Sequence, residues 1–199
     1  MTAAPTAGMR QHKVSPPRIP GEPDAWVFII GEMIIFTALF GLIGYNRGKN
    51  PGLFAAGQRE LAQGLGLTNT IVLLTGSILV VLATQAVADR RFDTASPLIA
   101  SVIGCGLTFA SVKAIEYWSL FHDGITIHTN RFWMLFFVIT GAHLVHVAVA
   151  SAGLVLLRSR VRLGLPGPRE PALFESGACY WHMVDLIWLI LFPLFYLVN

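Results

Sequence analysis

Five stretches of this chain run long and apolar with few charges: Ala25 to Tyr45, Leu67 to Ala88, Pro97 to Phe121, Phe132 to Leu157 and Ser176 to Val198. A helix rises about 1.5 Å per residue, so each run is long enough to cross a hydrocarbon layer of about 30 Å. In lipid every backbone N–H and C=O must be satisfied within the protein, and for runs this continuous the α-helix does so. The expected fold is therefore all-α, a polytopic membrane protein built as a five-transmembrane-helix bundle over residues 24–199. Composition points the same way: with 54% hydrophobic and 13% charged residues and a mean hydropathy of +0.63, the apolar runs call for lipid rather than one water-soluble core.

Residues 1–23 carry Pro5, Pro16, Pro17, Pro20 and Pro23 and no apolar segment of signal-peptide length, so they read as a disordered cytoplasmic tail. The first span then doubles as the insertion signal. Lys and Arg at the span ends are unevenly divided. Arg10, Lys13, Arg18, Arg90, Arg91, Arg158, Arg160, Arg162 and Arg169 fall on the side of the N-terminus, and Arg47, Lys49, Arg59 and Arg131 on the other. That bias places the N-terminus in the cytoplasm and the C-terminus outside. It also accounts for the formal charge of +3 without a nucleic-acid partner. Trp26, Trp118 and Trp133 lie near span ends, where indoles favour the headgroup level. The long connections are Asn46 to Gly66, rich in glycine, and the basic Arg158 to Glu175 stretch with its prolines. Cys105 and Cys179 lie in or beside apolar runs and read as packing residues.

An ionisable group in hydrocarbon costs at least a few kcal/mol, so those inside the runs must face a neighbouring helix, a cavity or another subunit. They are Glu32, Lys113, Glu116, His143, His146, His182 and Asp185. Counting along the helices puts Glu32 and His182 each about 10 Å from the cytoplasmic end, with Asp185 and His146 about 14–16 Å deep. Lys113 and Glu116 approach the outer face, where Lys snorkels. His143 and His146 share a face at i, i+3, as do His182 and Asp185. These depths suggest one buried polar layer joining Glu32, His146, His182 and Asp185. Such a layer suits hydrogen-bonded pairs that fix helix register, or a protonatable group at Glu32. The histidines and carboxylates also resemble metal sets of helix bundles, yet no Glu-x-x-His repeat is present and matched ligands are too few. No catalytic or metal-ligating residue is assigned. A transporter would call for an internal repeat or paired broken spans, and neither is seen.

At these same residues the sequence resembles subunit III of the haem-copper oxidases. The most specific piece is ESGACYWHMVDLIW from Glu175 to Trp188, similar to the family's closing helix with its E-x-G-x-x-YWH-x-VD-x-x-W pattern. Glu116 and Tyr117, Asp123 and Gly124, and TGAHLVH from Thr140 to His146 follow the family's order. Weaker pieces are FIIGEMIIF from Phe28 to Phe36, whose Glu32 falls on the family's membrane glutamate, and TNTIVLLTGS from Thr68 to Ser77. Leu144 and Val145 replace the family's small residues between the two histidines, and Cys179 stands where an aromatic is common.

The resemblance implies a non-catalytic subunit of a respiratory oxidase complex in the plasma membrane of a prokaryote. It would hold no cofactor of its own, the haem and copper or iron lying in a catalytic partner subunit, with phospholipid as a further bound component. Its role would be to sustain turnover, proton uptake and assembly of that partner during aerobic electron transport. Glu32 inherits the family's proton- and lipid-linked position, and Glu116, His143, His146, His182 and Asp185 join it as polar candidates. Seven-helix members have two further N-terminal helices that form a lipid-holding cleft, and the chain as read starts without them. Five-helix members include both the third subunit of quinol-oxidising enzymes and an accessory protein of nitric oxide reductases, and these motifs do not separate the two.

Overall fold

The computed structural model describes residues 20–163, 167 and 170–197. Among these described residues six helices follow one another: α1 (Pro23–Lys49), α2 (Pro51–Glu60), α3 (Gln63–Ala88), α4 (Phe92–His122), α5 (Arg131–Arg162) and α6 (Glu170–Phe192), which passes into a π-helical turn, Pro193–Leu197. Five of them are long and apolar enough to cross a membrane, as the apolar runs predict. They overrun those runs because the helix continues through polar end turns, where side chains reach headgroups and water. α4 thus starts before Pro97 and α5 carries Arg158, Arg160 and Arg162 within it.

Two stretches differ from expectation. The connection from Asn46 to Gly66 contains a helix, α2, started by Pro51, whose fixed φ suits the first helical position. The basic connection shrinks to the few residues between Arg162 and Glu170, since both its flanks are helical. Most of the tail lies outside the described residues. Its last part is held: the Gly21 N–H donates to Glu175 Oε2 at 2.8 Å and the Glu22 N–H to Ser176 Oγ at 2.9 Å. Glu175 and Ser176, from the Glu-Ser-Gly start of the closing motif, thereby dock the entrance of α1 on α6.

α3 packs on α4 and α6, and α5 packs on the same two, so these four helices close a ring. α1 leans on its outside against α6 and α5. Only 17% of the α1 apolar stretch is buried, against 56% for the last span, so most of α1 is left for lipid or another subunit. The ring is tight where glycine allows it. A Cβ on Gly76 would lie 2.7 Å from the Trp181 ring, and one on Gly106 would meet Ser151 Oγ. Trp181 of α6 therefore fills the seam between α3 and α4, 1% exposed. The cysteines are free and partly buried.

The end of the bundle where α1 finishes is closed by α2 and by aromatics. Phe54 of α2 meets Phe132 edge-on at 5.3 Å, and Phe132 in turn meets Trp133 and Phe195. Trp133 is therefore a core residue, 2% exposed, and not an interfacial anchor, because its ring turns inward onto Phe136. Trp118, 75% exposed, points outward near the end of α4. Helix ends leave carbonyls without partners. Here the Gln58 and Gln63 side-chain amides donate to the carbonyls of Leu194 and Tyr196, at 3.3 and 3.0 Å. Gly57 lies so close to the Phe132 ring that a Cβ would overlap it. Gly57→Leu is expected to lift α2 from the bundle at a cost of about 1–3 kcal/mol, and Gly57→Ala less. Thermal unfolding in detergent, read by tryptophan fluorescence, measures both.

Candidate functional site

The candidate residues fall into three polar groups. The first lies deep in the ring. Lys113 and Glu116 are one turn apart on α4, and Lys113 Nζ donates to Glu116 Oε2 at 2.6 Å. Tyr196, from the π-helical turn, donates its hydroxyl to the Glu116 carboxylate at 2.7 Å and accepts from Lys113 at 3.2 Å. Lys113 is fully buried, so it does not snorkel; its ammonium lies over the Phe136 ring at 4.7 Å and the Tyr117 ring at 5.0 Å. Snorkelling fails because the side chain points into the ring of helices and finds its counter-charge there. Tyr117 shares a 2.6 Å hydrogen bond with Thr140.

The second group joins α1 to α5. His146 Nε2 lies 3.1 Å from Glu32 Oε2, and its Nδ1 lies 2.7 Å from the Ala142 carbonyl, one turn back on α5. A carbonyl only accepts, so Nδ1 carries a proton. The contact between Nε2 and Oε2 then holds one further proton, on the imidazole or on the carboxyl. In both placements the pair is neutral overall, which suits a site in hydrocarbon. Removing either partner leaves the other without its hydrogen bond. His146→Leu is expected to cost about 1–3 kcal/mol of bundle stability, whereas Glu32→Gln, whose amide can donate to Nε2, should cost well under half of that. Denaturation of the two variants side by side checks the ordering.

The third group joins α6 to α3. The Ser77 hydroxyl donates to Asp185 Oδ2 at 2.6 Å, so its lone pairs face His182 Nδ1 at 3.1 Å, and that nitrogen carries the proton. The pairs on α5 and α6 at i, i+3 spacing behave differently. His182 and Asp185 do share a partner, but His143 and His146 part company. His146 faces α1, meeting Phe36 edge-on at 5.2 Å. His143 turns into the ring, stacked on Trp188 at 5.4 Å and edge-on to Phe109 at the same distance. Among the described residues no hydrogen bond links Glu32 and His146 to His182 and Asp185, so the single layer is two sites on different flanks of α6. Ser77, Tyr196 and Thr70, which accepts from the Trp188 indole at 3.0 Å, went unassigned in the sequence. Among the described residues no three His, Cys, Asp or Glu side chains gather as a metal set.

Between α1, α5 and α6 runs an apolar groove of about 280 Å³, lined by Ala25, Phe28, Val149, Gly153, Leu157 and Tyr180 among others. Ser176, whose hydroxyl accepts from the Glu22 N–H, also lines it. Phe28 and Tyr180 touch across it, ring centres 5.8 Å apart.

Residues 24–199 match the family model described as cytochrome c oxidase subunit III. The chain is similar to cytochrome c oxidase subunit 3 of Alkalihalophilus pseudofirmus, 29% identical over 87% of this chain and 84% of that one. It is similar to the subunit 3 of Synechocystis at 30% identity over 89% of this chain and 78% of that one. A protein of Aeropyrum pernix named haem-copper oxidase subunit I+III is 30% identical over 87% of this chain, and the match spans 22% of that longer protein.

Proposed function

The chain belongs to the cytochrome c oxidase subunit III family, and on that premise we propose that it is a non-catalytic membrane subunit of a haem-copper oxidase complex. The observation that carries this is the extent of the match. It runs from the start of α1 to the end of the chain and takes in most of the length of the bacterial subunit 3 relatives. The relative named subunit I+III supports a place beside the catalytic subunit. On this reading haem, copper or iron sits in the partner, and this chain contributes helices, a protonatable pair and a lipid surface.

Glu32 and His146 are the proton-linked element, since the contact between them holds a proton at about mid-depth on the α1 side of the ring. The neighbouring groove takes one acyl chain of a phospholipid, for which its apolar lining and length along α5 are suited. Arg90, Arg91, Arg158, Arg160 and Arg162 lie at the end of the bundle where α1 begins, and Arg47, Lys49, Arg59 and Arg131 at the other. The first end is accordingly cytoplasmic and the membrane is the plasma membrane of a prokaryote.

The test is to isolate the tagged chain from its native membrane in mild detergent, then record a visible spectrum and identify its companions by mass spectrometry. Haem bands together with an oxidase catalytic subunit are expected. A nitric oxide reductase in that place would move the chain to the accessory protein of that complex. A colourless, solitary protein would overturn the subunit reading.

A further inference from the structure

Among the described residues, buried side-chain atoms without a hydrogen-bond partner recur on the helices of the ring, Gln58 Oε1 of α2 standing apart from them. Asn69 is 1% exposed and His143 fully buried, and among the described residues neither ring nitrogen of His143 and neither amide atom of Asn69 has a partner. Asp185 Oδ1, Trp181 Nε1 and Ser151 Oγ are likewise buried and unpartnered. The packing register places all five residues in one column. Gly76 of α3 lies level with Cys105 of α4, so Asn69, two turns away on α3, lies level with Lys113. His143 is at the same level, since it stacks on Trp188, over whose ring Lys113 lies at 5.4 Å. Asp185 is one turn further along α6 and Trp181 two turns, where Ser151 and Gly106 also meet. The column runs inside the ring of α3, α4, α5 and α6, from the Lys113, Glu116 and Tyr196 cluster toward the other end.

Buried donors and acceptors in folded proteins are paired with protein or with ordered water, and each one left bare carries a desolvation cost. Dry cavities are apolar, whereas a site with two to four polar groups around space for a water molecule holds one. Asn69, His143 and Lys113 lie at one level on three helices, and His143 and Lys113 both meet the Trp188 ring. We propose that the ring encloses a column of ordered water molecules bound by Asn69 and His143 at one end and by Asp185, Trp181 and Ser151 at the other. The water joins the buried ion pair on α4 to the Ser77, His182 and Asp185 group, and gives the two carboxylates one hydrogen-bonded interior. Glu32 and His146 lie outside it, on the far side of α5.

Radiolytic hydroxyl labelling tests this, because radicals formed from bound water oxidise the side chains beside it even where bulk solvent does not reach. The full complex, in nanodiscs, would be irradiated and its peptides analysed by mass spectrometry. Trp181 and Trp188 are expected to label at least fivefold above Phe136 and Phe36 after correction for intrinsic reactivity, and Asn69→Leu with His143→Phe to remove most of the Trp188 labelling. The unfolding midpoint of that double variant is a second readout. A wet column predicts a lower midpoint, since water-mediated bonds are lost; a dry one predicts a higher midpoint, since bare polar groups are removed. Wild-type Trp181 and Trp188 as silent as Phe136, or a raised midpoint in the double variant, would overturn the proposal. The wild-type labelling decides the matter by itself if the variant does not assemble.

Discussion

Lys113→Met will destabilise the bundle by about 3–5 kcal/mol, because it leaves the Glu116 carboxylate buried without its counter-charge. Glu116 is 3% exposed, and its remaining partner, the Tyr196 hydroxyl, supplies one hydrogen bond and no charge. The double variant Lys113→Met with Glu116→Gln is expected to regain most of the loss. It buries no charge, and the glutamine oxygen still accepts from Tyr196. The gain is possible because a buried ion pair repays its desolvation only partly, so a neutral pair of similar shape is often as stable. Urea or thermal unfolding in detergent micelles reads all three proteins. Additive losses, with the double variant worse than Lys113→Met, would show that Lys113 and Glu116 do not act as one unit. The single variant should also lose the π-helical turn first, since Tyr196 is the residue of that turn held by the pair.

The architecture was written in the length of the apolar runs, since for runs this continuous the helix is what satisfies the backbone across lipid. α2 was hidden for the converse reason. It is ten residues long, does not cross, and owes its place to Phe54 and Gln58 meeting aromatics and carbonyls from distant parts of the chain. The polar candidates were legible as residue types and depths, but a depth says nothing about which neighbour lies across the gap. Glu32 and His182 share a depth, yet Glu32 meets α5 and His182 meets α3. Spacing along one helix also misleads at i, i+3, where two side chains diverge enough to face different partners, as His143 and His146 do. The position of Lys113 is the least legible from sequence, since a lysine near a span end reaches headgroups unless a carboxylate and a phenol wait inside. That information sits some eighty residues away, in Tyr196.

Trp188 connects these groups, and its removal is expected to have an effect as large as that of breaking the ion pair. The ring is fully buried, stands edge-on to Phe109 at 4.9 Å, stacks on His143 and lies beneath Lys113. Its indole N–H donates to Thr70 on α3, so one side chain of α6 touches all three other helices of the ring. Trp188→Ala should cost about 3–5 kcal/mol, from lost burial and from the cavity that the surrounding helices cannot close. Trp188→Phe keeps most of the packing and gives up the indole hydrogen bond, so about 1–2 kcal/mol is expected, within the range for one hydrogen bond and a small void. Thr70 then falls back on its bond to the Gly66 carbonyl, which is already made at 2.9 Å. Unfolding midpoints of the two variants give the ratio, and equal losses would place the stabilisation in the hydrogen bond and not in the packing. In the complex, Trp188→Ala should reduce the amount of this chain recovered with its partner, while Trp188→Phe should not. That contrast separates a ring held together by its core from one held in shape by the subunit beside it.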